Sequence, residues 1–227
     1  STELFPWYQI KFESGKVSYV EIYYFENTTI YIKTKDPKEQ KKEREERFNA
    51  LRKINGNGFK DIPFGASYED LMVGLAEKED MRGRTVTLGD LIIKESFPLG
   101  ADTVKIFFHF NHKKEFYSFS FHTKKLTANK FDSQVVNDAN NLTQVFKNKY
   151  GNPAECVEPN SMFIREGYIS YVCKWPNKDL KIFTGITVYE SLYSAEGVVT
   201  SKQLEDAFES YQKQQEQKKA AEDAKKF

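Results

Sequence analysis

The side chains with chemistry to offer are few. His109, His112 and His122, with Cys156 and Cys173, are all the imidazoles and thiols in 227 residues. His109-x-x-His112 has a spacing that two metal ligands could use. His112 stands beside Lys113 and Lys114, however, whose charges oppose a cation, and no cysteine lies close in sequence. The pattern therefore lacks a zinc ligand set. Glu77, Glu79 and Asp80, with Arg82 and Arg84, match no calcium-loop spacing and read as a solvated loop over 77–84. The sequence holds neither a G-x-S-x-G nucleophile elbow nor a phosphate loop. It nominates no catalytic residue, no metal ligand and no cofactor. Paired carboxylates stay open, because they meet only in the fold.

The cysteines allow one disulfide or two buried thiols. Cys173 sits on a strand that runs into Trp175, on the same side as Tyr171. Cys156 lies just past a helix stop at Gly151 and Pro153, where the chain must return to the sheet. The link from Pro159 to Gly167 is long enough to reverse direction and set the two side by side. This favours a Cys156–Cys173 bridge, which implies an oxidising compartment and an exported protein. Two buried thiols in a cytosolic protein are the competing reading.

Charge excludes one class of partner. Lys and Arg number 34 against 33 Asp and Glu, so no basic footprint for nucleic acid is expected. No apolar run approaches the ~20 residues that cross a bilayer as a helix. The first residue is Ser1, not methionine, which reads as a trimmed or mature form.

The elements that would position these groups follow from periodicity. Residues 1–35 read as a β meander whose two faces both carry aromatics, with Trp7, Tyr8, Tyr24 and Tyr31 as candidate binding residues. Ordinary sheet packing is the competing reading there. Residues 36–58 start with an Asp36 cap and Pro37, continue as an almost wholly charged helix, and end in an Asn55–Gly58 hinge. Phe48, Leu51 and Ile54 give this helix an apolar stripe in its last turns only.

Residues 59–199 read as the main domain. Phe59 to Leu71 is an extended apolar entry, a turn at Gly65, a Ser67 cap and a short helix. A hairpin turning at Asn111–Lys114 would pair Phe110 with Glu115, Phe108 with Tyr117, Ile106 with Phe119 and Val104 with Phe121. His109, Ser118, Ser120 and His122 would share the other face. Residues 131–150 form the clearest helix, capped by Asp132 or Ser133 and striped by Val135, Ala139, Leu142 and Phe146. A second hairpin would carry Ile169, Tyr171, Cys173 and Trp175 on one face. Residues 200–227 read as a helix with a Leu204, Phe208, Tyr211 stripe and a polar tail that frays. The fold class is α+β: antiparallel meander sheets with helices on their faces, the helix–sheet unit occurring twice, at 67–122 and 132–193.

Phe59-x-x-Ile62-x-Phe64-Gly65-x-Ser67-x-x-Asp70-Leu71 resembles the opening of many bacterial exported proteins and lipoproteins of unknown function. Phe146-Lys147-Asn148-Lys149-Tyr150-Gly151-Asn152-Pro153, followed by a strand with Trp175, resembles their second half. There is a fainter similarity to small outer-membrane assembly lipoproteins of the BamE type. The resemblance covers roughly residues 59–193. It implies a periplasmic or envelope location and a non-enzymatic role, with an envelope protein or glycan as partner. The expectation is a binding or scaffold protein using a sheet face or edge; the alternative is a small hydrolase of a cell-wall or glycan substrate using Asp or Glu.

Overall fold

A computed structural model describes residues 8–11, 17–20, 37–81, 85–88, 91–100 and 102–224. The chain divides into two units, Ser1–Gln40 and Lys41–Phe227. In the first, strands β1 (Tyr8–Lys11) and β2 (Val17–Val20) pair antiparallel, Tyr8 opposite Val20. Trp7, Tyr24 and Tyr31 lie outside the described residues, as does the Tyr8 side chain.

The second unit is α+β and is built on one antiparallel sheet. Helix α1 (Pro37–Asn55) enters it and is followed by a hairpin of β3 (Asn57–Phe59) and β4 (Ile62–Pro63). Helix α2 (Tyr68–Ala76) comes next, its first turn closed by the Asp70 amide donating to Ser67 Oγ at 3.1 Å. Four strands then meander: β5 (Thr85–Leu88), β6 (Leu91–Leu99), β7 (Asp102–Phe110) and β8 (Phe116–His122). After a two-residue strand, β9 (Leu126–Thr127), helix α3 (Val136–Tyr150) opens a second meander of β10 (Glu155–Cys156), β11 (Ile169–Trp175), β12 (Leu180–Tyr189) and β13 (Leu192–Ser201). The last strands of the two meanders, β8 and β13, pair antiparallel and fuse both into one sheet ordered β10-β11-β12-β13-β8-β7-β6-β5. The helix–sheet unit thus occurs twice within a single sheet. Helix α4 (Lys202–Ala224) follows β13 directly.

One sheet face carries the core. Val104, Ile106, Phe108, Phe119 and Phe121 are buried there beneath Phe59 and Phe64, with ring centroids 5–6 Å apart. Phe146 of α3 covers the other half, meeting Trp175 and Phe121. Gly197 makes this approach fit, since a Cβ there would stand 2.7 Å from the Phe146 ring.

Five details depart from expectation. The β7–β8 register is Phe110–Phe116, His109–Ser118, Phe108–Phe119 and Ile106–Phe121, because a bulge next to Phe110 sets Tyr117 off the ladder. A second bulge between Tyr171 and Cys173 turns Tyr171 away from the core, where it stands edge-on to Phe183 at 4.8 Å. Helix α1 docks well before its last turns: Arg44 is buried and donates to Glu77 at 2.5 Å, and Arg47 donates to Asp70 at 2.7 Å. The tail from Gln214 to Ala224 continues α4, exposed along most of its length, as its run of Gln, Glu, Lys and Ala favours. Helix α3 also begins without a side-chain cap, on a π-helical turn over Phe131–Val135.

Candidate functional site

Two places stand out chemically: an exposed loop at the β10 edge, and a largely buried polar row on the sheet face away from α3.

Cys156 and Cys173 lie opposite one another in the β10–β11 register, at disulfide bonding distance with Sγ atoms 2.02 Å apart. Their ladder is flanked by Ala154 N donating to Lys174 O at 2.8 Å and Val157 N to Val172 O at 2.7 Å. Trp175 Nε1 also donates to Gly151 O at 2.7 Å, tying the strand to the end of α3. Both ends of loop 157–172 are therefore fixed. Between them, Val157 is 55% exposed, Met162 81%, Phe163 75% and Tyr168 71%. Asn160 caps a single 3-10 turn through Met162 and Phe163, so the two largest apolar side chains sit on an ordered tip. Tyr171, on the outer side because of the bulge, lies beside this loop with Lys174 over its ring at 4.3 Å.

Single exposed apolar residues are normal; several on one tethered loop at a sheet edge are not. The pairing of the cysteines was legible in sequence. The apolar tip was not singled out, although Met162-Phe163 between Asn160 and Arg165 is the signal that marks it.

The polar row runs across β7, β8, β13 and β12. Glu196 is buried, and its Oε1 accepts from Thr187 Oγ1 at 2.6 Å and stands 3.1 Å from His122 Nδ1. Glu196 as acceptor places the proton of a neutral His122 ring on Nδ1, which leaves Nε2 to accept from Ser120 Oγ at 2.8 Å. His109 Nε2 closes the row 3.4 Å from the same hydroxyl. Burial works against a charge on Glu196, but the hydrogen bonds from His122 and Thr187, with the nearby imidazoles, hold its carboxyl below the usual range. Burial, with the neighbouring His122, pushes His109 down to about 4. The two histidines of the tempting H-x-x-H are separated: His109 joins His122, while His112 stacks on Tyr211 of α4 at 3.8 Å. Strand alternation brings His109, Ser120 and His122 to one face. Glu196 arrives only through the β8–β13 pairing, 74 positions after His122, and nothing local announces it.

His122 lines an open cleft of about 500 Å³ whose walls include Lys105, Phe107, Thr123, Lys124 and Ser194. Among the described residues no group of three or more His, Cys, Asp or Glu is placed to hold a metal ion. No described helix is long and apolar enough to cross a membrane. Comparison with protein-family models, curated proteins and solved structures finds no match for this chain.

Proposed function

We propose that this is an exported, non-enzymatic binding protein of the bacterial cell envelope that takes a protein partner on loop 157–172. The observation that carries the reading is the exposed apolar set Val157, Met162, Phe163 and Tyr168 on a loop closed by the Cys156–Cys173 bridge. A tethered loop loses little conformational entropy on docking, so its apolar surface contributes to affinity with less offset. The adjoining β10 is a terminal strand of the sheet, both its residues exposed, and an edge of that kind accepts a partner strand. The bridge fits an oxidising compartment.

A photo-crosslinking side chain at position 163, in the chain produced in its native cells, tests this. It is expected to give a discrete protein adduct that Met162→Asp removes, while position 148 on the exposed side of α3 gives none. Identical patterns at 163 and 148 would sink the reading, as would two freely alkylatable thiols in the native protein.

The Ser120–His122–Glu196 geometry favours a hydrolase as the second reading, because a hydroxyl, a base and an orienting carboxylate stand in hydrogen-bonded order. It ranks second because β8 is paired on both sides along Ser118–His122, which commits its amides to the ladders and leaves none of them for an oxyanion. Covalent labelling of Ser120 by a fluorophosphonate would reverse the order.

A further inference from the structure

A third feature uses none of these residues. On the core side of the sheet, between α3 and the β3–β4 hairpin, a cleft of about 140 Å³ is walled by Phe59, Phe97, Phe121, Val145, Phe146 and Tyr150. Two ammonium groups are placed around these rings. Lys60 Nζ lies 5.4 Å from the Phe97 centroid and 5.9 Å from that of Phe59; Lys149 Nζ lies 5.5 Å from that of Tyr150. Both lysines line the cleft.

The arrangement is not one that packing alone favours. Lys149 keeps an exposed surface, yet the protein packed around it, and then the Lys60 charge, push it below its ordinary value, so the two cations feel each other. Asp80 pairs with Lys60 and occupies one of its three donors. Lys60 also has φ 54°, a left-handed conformation that disfavours a residue with a Cβ and suits glycine. A lysine therefore occupies a turn position better served by glycine, and its ammonium ends over an aromatic cleft. Aromatic walls take an apolar body, and the two lysines that line the cleft take a negative head. A volume of this size suits a short acyl chain or one ring.

We propose that this cleft binds a small amphiphilic carboxylate, its apolar body between the Phe59, Phe97 and Phe146 rings and its charge between Lys60 and Lys149. Carboxylate specificity comes from the lysines, and the aromatic walls favour an apolar body.

Calorimetric titration of the full chain with sodium octanoate, with 1-octanol as the uncharged control, tests the assignment. Octanoate is expected to bind saturably and at least about tenfold more tightly than octanol, as a charge-assisted contact implies. Lys149→Met keeps the apolar stem and is expected to weaken octanoate by about tenfold with octanol unaffected. Lys60→Gly is expected to weaken octanoate similarly while raising the melting temperature, because it removes the left-handed lysine. That opposite movement separates lost binding from lost folding. Absence of saturable octanoate binding, equal affinity for octanol, or unchanged affinity in both lysine variants would overturn the proposal. The crosslinking result at position 163 is independent of all three outcomes.

Discussion

Cys156 stands directly opposite Cys173 across the β10–β11 pair, with Cα atoms 4.1 Å apart and 17 residues of sequence separation. The bridge closes the whole apolar tip into a loop. Replacing both cysteines by alanine is expected to lower stability by about 3 kcal/mol, the chain-entropy value for a loop of this length. The same variant should be cut faster by protease around residues 161–168. A chemical denaturation curve and a limited digestion read the two effects. An unchanged midpoint with unchanged digestion would mean that the β10–β11 ladder holds the loop without the bond.

Acid should destabilise the fold through His109. Its folded value of about 4 lies below the ordinary 6.5, so the unfolded chain takes up the proton first as pH falls. The stability gained by keeping it neutral is full above about pH 6.5 and is lost progressively toward pH 4. Across that window the loss is about 3 kcal/mol at most. Glu196 acts in the same direction: its carboxyl is held low, and its contribution disappears as pH falls through the folded value. Urea midpoints measured from pH 7 to pH 4 should fall steeply for the parent and less for His109→Gln. Parallel curves would show that His109 is not the group responsible.

Phe146 and Gly197 form one packing unit, and each should fail in its own way. Phe146→Ala empties a site between Trp175 and Phe121 and is expected to cost about 3–5 kcal/mol. Gly197→Ala places a methyl within 2.7 Å of the Phe146 ring and is expected to cost about 1–3 kcal/mol by overpacking. In the Phe146→Ala background the Gly197→Ala penalty should shrink, since the clash has gone. A double-mutant cycle on thermal unfolding measures this; full additivity would contradict the contact. Val145, half-buried at the rim of the amphiphile cleft, should cost less than Phe146.

Arg44 should matter although it sits in a run of charges. It is buried against α2 with Glu77, the residue that ends that helix, as partner, so Arg44→Ala removes packing and a charge-assisted hydrogen bond, at about 1–3 kcal/mol. Lys42→Ala, on an exposed i,i+4 pair with Glu46, should stay within about 0.5 kcal/mol. Equal effects in the two variants would mean that α1 is held by its apolar stripe alone.

Local pattern was enough for much of this fold. Alternation in Val104–Phe110 and Phe116–His122 fixes two strands and an apolar face, and the Val135, Ala139, Leu142, Phe146 stripe fixes a helix. Both signals are short-range, because side-chain period is a property of the backbone geometry itself. The α+β class and the recurrence of helix and meander follow from the same signals. Three matters were settled only by tertiary contact. The bulges next to Phe110 and Tyr171 depend on what each strand packs against, so they moved Tyr117 and Tyr171 to the opposite face without any local marker. Burial of Arg44 depends on Glu77 arriving from α2, 33 residues later, and a charged run does not show which of its members will find a partner. The Ser120–His122–Glu196 row and the cleft between Lys60 and Lys149 both require elements distant in sequence to pair or pack. Sequence determined which residues could face the same way; only the long-range pairing of β8 with β13, and the seating of the β3–β4 hairpin beside α3, decided which of them meet.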